Sequence, residues 1–428
     1  MPDKSYWFYL ESFVYAVIKG RDLLLYNSLT GKFLSYMDRP RLVEFLLDLD
    51  RKENLYVLKV SREFLRDNGL EGFMGDIKDY FMGDLIDVSL TPKKPFIMPP
   101  HLDNREEGGQ RPRRIIRNVS GDSLFSINEL TFFVTSRCEK NCTACDSAGK
   151  QFLWCTGEKE SSELDPVSGP MLELTEIKEI LDQTKGCPIK TVNIIGGDLT
   201  RYPHLNRLVD LLCPSFNVNY YFHFSHLKNG FPDAVTSGCS QSKVTLLVDC
   251  STLALPCDLN HLKHLQPDKI VFLIQRDEEI PILEELIENL KTGNIAVQPY
   301  FNGHNLDFFK ANVFSDQESL IETILDIGTI KARRSYNTLS YGKMFIRSDK
   351  KIYSDLNGKP LGRLGEISME TAVVSELSEH GNWLKVRRDV VPCKDCLLDS
   401  ICPPLSNLET VSGINNSCNI WNDHRNMK

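Results

Sequence analysis

Leu130-Thr131-Phe132-Phe133-Val134-Thr135-Ser136-Arg137-Cys138-Glu139-Lys140-Asn141-Cys142-Thr143-Ala144-Cys145 is a β-rich run that empties into three cysteines spaced C-x3-C-x2-C. Thiolates are soft ligands that select iron–sulfur clusters, zinc or copper(I). Three of them can hold three irons of a 4Fe-4S cube and leave the fourth iron open. An open position separates a catalytic metal centre from a closed structural one. The residues alone also admit zinc with a fourth ligand from elsewhere, or three buried thiols. The place of the loop, after a strand at the start of an alternating region, favours the cluster.

That region runs from residue 129. The apolar stretches Leu130 to Val134, Thr191 to Ile195, Asn219 to Phe224, Val244 to Val248, Lys269 to Leu273 and Ile295 to Pro299 read as strands. Leu174 to Leu181, Leu205 to Leu212 and Pro281 to Leu290 read as helices between them. Strand–helix alternation implies a parallel α/β sheet, open or barrel-like, with functional residues where strands end and loops begin.

Outward from this core the texture differs. Residues 5–36 read as a small antiparallel sheet, with strands at Phe13 to Ile18, Leu23 to Tyr26 and Lys32 to Tyr36. Short helical patterns follow, which suggests a winged-helix-like module over residues 1–91. Phe73-Met74-Gly75-Asp76 recurs as Phe81-Met82-Gly83-Asp84, and two copies are too few for a repeat. Pro92, Pro95, Pro99, Pro100 and Pro112 mark residues 92–121 as a linker without regular structure. Residues 122–328 hold the alternating region. Residues 329–428 are a strand- and turn-rich extension.

A formal net charge of -8 argues against a broad basic surface for nucleic acid. No run of eighteen uncharged apolar residues suggests a membrane span. The apolar start Ser5 to Leu10 lacks the flanks of a signal peptide, so a cytoplasmic protein is expected. In a long chain without an export signal, thirteen cysteines point to metal or catalysis before disulfides.

Seven of the thirteen fall into two groups. The second is Cys393, Cys396, Cys402 and the more distant Cys418. Four thiolates make a closed site, for zinc or for a fully ligated cluster. Cys155, Cys187, Cys213, Cys239, Cys250 and Cys257 are scattered and read as buried free thiols. Cys155, near the first loop, is the least certain of these. His261 and His264 could share a helix face and read as surface histidines.

The cysteine loop after a first strand resembles the radical S-adenosylmethionine (SAM) superfamily. The strand ending in Gly196-Gly197-Asp198 is similar to that family's Gly-Gly-acidic motif. There the glycines would let backbone approach SAM, and the carboxylate would pair with its methionyl amine. Ala144 stands where an aromatic is usual, and Asp198 is one methylene shorter than the usual Glu. The C-terminal group resembles a SPASM extension reduced to one auxiliary 4Fe-4S cluster on Cys393, Cys396, Cys402 and Cys418. Ser406 stands where a further cysteine is expected, and the upstream pair is absent around Tyr341 to Asn357.

This resemblance implies a partial (β/α)6 barrel of TIM-like type. It also implies an N-terminal recognition element for peptides made on the ribosome and later modified (RiPPs). Tyr6 to Glu11 with Leu24 to Asn27, Phe301 to Phe309, and Cys402-Pro403-Pro404 with Asn416-Ser417-Cys418 extend the likeness. They resemble maturases and pseudo-radical-SAM/SPASM partners of Bacteroidales systems whose precursors carry a Gly-Gly leader. The implied function is radical modification of a precursor peptide, using SAM on the cluster of Cys138, Cys142 and Cys145. The alternative is a partner that binds the leader peptide or a companion maturase without cleaving SAM. No residue is singled out as an acid or base.

Overall fold

The computed structural model describes residues 4–104, 123–140, 142, 145–156, 169–237, 241–253, 257–290 and 294–420. Strand β1 (Ser5–Leu10) buries Phe8 and Leu10 on one face. Strands β2 (Val14–Lys19), β3 (Asp22–Asn27) and β4 (Phe33–Tyr36) form the expected antiparallel hairpins. Lys19 pairs with Asp22, which leaves a two-residue turn, and Gly20 takes the positive φ of 59° that such turns require.

β1 does not join them. It lies between β5 (Val57–Ser61) and β6 (Gly83–Asp87), antiparallel to both, so the single sheet expected over residues 5–36 is two sheets. β6 reads Gly-Asp-Leu-Ile-Asp, with no alternation to mark it as a strand. Helix Pro40–Asp50 starts with proline and buries Leu42, Val43, Phe45, Leu46 and Leu49, an i, i+3, i+4, i+7 stripe. Helices Arg62–Asp67 and Glu71–Asp79 complete this core. Phe73 to Asp76 lies in the second of these, whereas Phe81 to Asp84 enters β6, so the recurring tetrapeptide adopts two structures.

The proline-marked stretch 92–121 was expected to be irregular, yet it contributes strand β7 (His101–Asn104), parallel to β2. The run of prolines ends at Pro100, one residue before the ladder begins, where a missing N–H costs no sheet hydrogen bond. Asp103 anchors the strand by accepting from Tyr15 Oη at 3.0 Å and pairing with Arg334 at 2.5 Å and Arg388 at 3.6 Å. Residues 105–121 of that stretch lie outside the described residues.

The alternating region folds as its pattern predicts. β8 (Glu129–Phe133), β9 (Thr191–Ile195), β10 (Asn217–His223), β11 (Ser242–Asp249), β12 (Lys269–Ile274) and β13 (Ile295–Pro299) are parallel, each beside the next in sequence. Parallel strands in sequential order need crossovers of one hand, right-handed as a rule, which puts the connecting helices on one face. Leu130, Phe132, Ile194, Phe222, Leu246 and Phe272 meet helices Leu174–Gln183, Leu205–Leu212 and Glu279–Leu290 there. The alternate residues Phe133, Ile195, Leu247 and Leu273 face Trp154, Tyr300 and Tyr353 on the other side.

β14 (Lys343–Ile346) pairs parallel to β8, and β15 (Lys351–Tyr353) and β16 (Gly362–Arg363) follow antiparallel. The segment after residue 329 thus supplies three strands of the central sheet. Among the described residues the sheet has β13 and β16 as edges, so its hydrogen bonding stays open. The remaining C-terminal residues pack on the N-terminal sheet, where Tyr15, Val17, Leu24 and Tyr26 share a core with Leu397, Leu398 and Ile401. No helix of the described residues is long and apolar enough to cross a membrane.

Candidate functional site

Past the ends of β8 and β9 the two chains stay zipped together. Gly197 N donates to Thr135 O and Asp198 N to Arg137 O, both at 2.7 Å. A Cβ on Gly196 would lie 2.7 Å from Thr135 O, and one on Gly197 would lie 2.5 Å from Arg137 O. The glycines expected to admit a ligand therefore admit the cysteine loop itself.

Asp198 follows, and its carboxylate is already engaged. It accepts from Thr200 N at 3.1 Å and Thr200 Oγ1 at 2.6 Å, capping the turn Leu199–Arg201, and pairs with Arg201 Nε at 3.3 Å. His226 Nδ1 stands 3.8 Å from it. A SAM amine at this carboxylate would have to share it with Arg201.

Cys138 Sγ lies 3.3 Å from His226 Nε2 and accepts from Lys140 N at 3.3 Å. Burial, reinforced by the neighbouring Cys145, Cys142 and Asp198, pushes its thiol up to about 11. The thiol is therefore protonated at neutral pH until a cation compensates its charge. Cys142 is half-buried, and Ala144 lies outside the described residues. Cys145 is buried at the start of helix Cys145–Gln151, and its Sγ donates to Cys155 O at 2.9 Å. Cys155 is buried too, with its thiol hydrogen-bonded to that of Cys145, which raises it far above the usual thiol range.

Two histidines back the loop. His223 accepts from Ser225 N at 3.2 Å through Nδ1 and is pushed down to about 3, first by burial and then by His226. Burial also lowers His226, so both rings are neutral. A pocket of about 560 Å³ opens here, lined by Glu139, Lys140, Asp198, Arg201, His226 and Phe231. Its volume falls in the range of small-molecule sites.

The second group assembles from distant segments. Cys393, Cys396, Cys402 and Cys418 surround a gap of about 20 Å³, room for one water-sized body. Burial pushes Cys396 up to about 11 and raises Cys393 and Cys402. Arg387 Nη1 points at Cys393 Sγ, 3.7 Å away. Burial opposes that guanidinium's charge, but Glu409 and the thiols more than offset it, so its affinity for the proton rises. Ser406, standing in place of an expected cysteine, caps helix Asn407–Ser412 in a capping box with Glu409.

The structure thus brings together Cys138, Cys142, Cys145 and Asp198 in one place and the four C-terminal cysteines in another. Among the described residues no three His, Cys, Asp or Glu are grouped as the ligands of one metal ion would be. The donor chemistry fits soft metal at both places, since each collects thiols close enough to influence one another's ionisation. Sequence reasoning missed His226, Arg201 and Arg387, which are remote in sequence or carry no local pattern. It flagged Cys155 without a role.

No family model and no curated protein matches the chain. Three crystal structures of Streptococcus suis SuiB are similar to it at 15% identity, over 92% of this chain and 94% of theirs. They are SuiB alone, with a TM-score of 0.42, SuiB bound to S-adenosylmethionine, 0.43, and SuiB bound to precursor peptide SuiA, 0.41.

Proposed function

We propose that the chain is a radical-SAM-type protein of RiPP maturation in the bacterial cytoplasm. Cys138, Cys142 and Cys145 hold a 4Fe-4S cluster, SAM occupies the pocket beside Cys138, and a precursor peptide is the substrate. One observation carries this reading: the cysteine loop, Asp198 and an open pocket converge where β8, β9 and β10 end. When bound, cluster and SAM supply a 5′-deoxyadenosyl radical able to take a hydrogen atom from a peptide residue.

The chain's own residues prepare that site. Cys138 must lose its proton to bind iron, and neutral His226 Nε2, 3.3 Å away, is placed to receive it. Asp198, 3.8 Å from the other ring nitrogen, steadies the charge that results. Arg201 borders the pocket and offers a cation to a ligand carboxylate.

The N-terminal residues 1–91 serve as the peptide-recognition module. β4 is an edge strand, and a groove of about 420 Å³ lies between it and helix Glu71–Asp79, lined by Tyr36, Asp38, Arg39, Phe73 and Asp76. An extended leader peptide can add to such an edge. The C-terminal thiols of residues 329–428 hold an auxiliary centre of SPASM type. A 4Fe-4S cluster is the reading from resemblance, and zinc is the alternative that four thiolates allow.

A second reading is a partner that binds leader peptide or a companion maturase without cleaving SAM. The engagement of Asp198 by Arg201 and Thr200 favours it. Anaerobic reconstitution with iron and sulfide tests both, with a Cys138→Ala, Cys142→Ala, Cys145→Ala variant as control. Iron, sulfide and reductive formation of 5′-deoxyadenosine in wild type alone supports the enzyme. Iron without 5′-deoxyadenosine, precursor peptide present, supports the partner. Absence of iron from the first site sinks the cluster in both.

A further inference from the structure

We propose that a cavity on the helix-free face of the central sheet binds a primary alkylammonium group, with Asp355 as its counter-ion. The site is separate from the pocket beside Cys138 and does not depend on what the two cysteine groups bind.

Strand alternation places it. Leu130, Met344 and Ile346 face the helices, so Glu129, Lys343 and Phe345 on the same strands face the other way. With Phe152 and Leu153, which follow helix Cys145–Gln151, and Leu408 of helix Asn407–Ser412, they enclose about 370 Å³. That volume lies at the low end of the range for small-molecule sites. Among the described residues the cavity shares no lining residue with the pocket beside Cys138. Trp154 stands between the two, edge-on to Phe152 at 5.9 Å and to His223 at 5.5 Å. A ligand held here is therefore anchored away from the first site.

The charges on its wall are unevenly matched. Glu129 accepts from Asn193 Nδ2 at 2.9 Å and pairs with Lys343 at 3.5 Å, so its charge is answered. Asp355 forms no ion pair among the described residues. Its carboxylate accepts from the backbone N–H groups of Asn357, at 2.6 Å, and Gly358. Arg347 is turned elsewhere: Nη2 donates to Leu356 O at 2.6 Å, and the guanidinium lies over the Tyr353 ring, 4.6 Å from its centre. Burial raises the proton affinity of Asp355, against the charges of Arg347 and Lys385. Ser340, also on the wall, keeps a buried Oγ without a hydrogen-bond partner among the described residues.

These features select the ligand. A buried carboxylate short of a cation, beside a spare hydroxyl, suits a group that brings positive charge and several N–H donors. An ammonium does both. Phe345 and Leu356, 5% and 4% exposed, give its alkyl stem an apolar wall. An anion would be repelled by Asp355, and a neutral apolar ligand would leave that carboxylate uncompensated. The ammonium can come from a free amine or from the basic side chain of a peptide.

The test uses the full chain without added metal, as wild type, Asp355→Asn and Lys385→Met. Binding of n-pentylamine is followed by saturation-transfer NMR titration, with 1-pentanol as the uncharged control. Wild type should bind the amine in preference to the alcohol. Asp355→Asn should weaken the amine at least about tenfold. Lys385→Met removes an exposed competing charge from the wall and should tighten the amine about threefold. Because Asp355 also holds the turn at Asn357 and Gly358, Lys385→Met decides the matter if thermal unfolding shows Asp355→Asn to be misfolded. Equal affinity for amine and alcohol, or amine binding unchanged in the folded variants, overturns the proposal. Displacement of the amine by N-acetylated Ala-Ala-Lys-Ala-Ala supports a peptide side chain as its source, and binding without such displacement supports a free amine. Failure of the first site to take up iron leaves this result untouched, and loss of amine binding leaves the cluster reading untouched.

Discussion

Arg387 and Glu409 meet as a bidentate ion pair, Nη1 to Oε1 at 2.9 Å and Nη2 to Oε2 at 3.1 Å, buried beside Cys393. Glu409 also accepts from Ser406 N at 3.0 Å and Ser417 N at 3.2 Å, and Arg387 donates to Pro403 O. One pair therefore ties together the segments that carry Cys393, Cys402 and Cys418. It also sets a fixed positive charge among thiols that burial would otherwise keep protonated.

Breaking that pair leaves a charge buried alone. Glu409→Gln should cost about 3–5 kcal/mol in urea unfolding, whereas replacing both partners with apolar residues should cost much less. A Glu409→Gln protein with an unchanged urea midpoint would show the pair to be dispensable.

Lys19 links the N-terminal sheet to the second cysteine group. Its Nζ donates to Lys394 O at 2.7 Å and to Cys396 O, and pairs with Asp399 at 3.5 Å. Lys19→Met should speed amide hydrogen exchange both in β2–β3 and in residues 394–402, with helix Glu279–Leu290 unchanged as the internal standard. Faster exchange confined to β2–β3 would mean that the link does not support the cysteine segment.

Gly197→Ala should misplace the first cysteine loop, because the added Cβ would sit 2.5 Å from Arg137 O. Backbone on both sides gives it no flexible neighbour to displace, so a loss of about 1–3 kcal/mol is expected, and under the proposed cluster less iron is retained per chain after reconstitution. Gly72→Ala is the control: it lies in helix Glu71–Asp79 with nothing near its Cβ position, and should be neutral or stabilising. Iron retention equal to that of wild type in Gly197→Ala would mean that the loop tolerates the shift.

His223 makes stability depend on acid. Its folded pKa of about 3 lies below the ordinary 6.5, so the unfolded chain takes up the proton first. The contribution is complete above about pH 6.5 and is lost as pH falls toward 3, at up to about 1.4 kcal/mol per unit. His223→Gln should flatten unfolding free energy against pH in that window. Parallel curves for variant and wild type would refute the assignment.

The six parallel strands and their helices were legible because each carries its own pattern: an apolar run of strand length, then a helical stripe, repeated in order. Thr191–Ile195, Ile295–Pro299 and Leu205–Leu212 match the sequence expectation to the residue. The two cysteine groups stand out in the sequence by their spacing, whereas what they bind is a proposal. Only the tertiary structure could place β14 beside β8, move β1 out of the first sheet, or bring Lys19 to Lys394 across 375 residues. It also decided that Gly196 and Gly197 accommodate backbone, that Asp198 is held by Arg201, that His226 stands against Cys138, and that the Cys155 carbonyl receives the Cys145 thiol. The physical reason is the same in each case. Which side chains meet at the end of a sheet depends on the packing of every strand and turn between them, and no local periodicity records it.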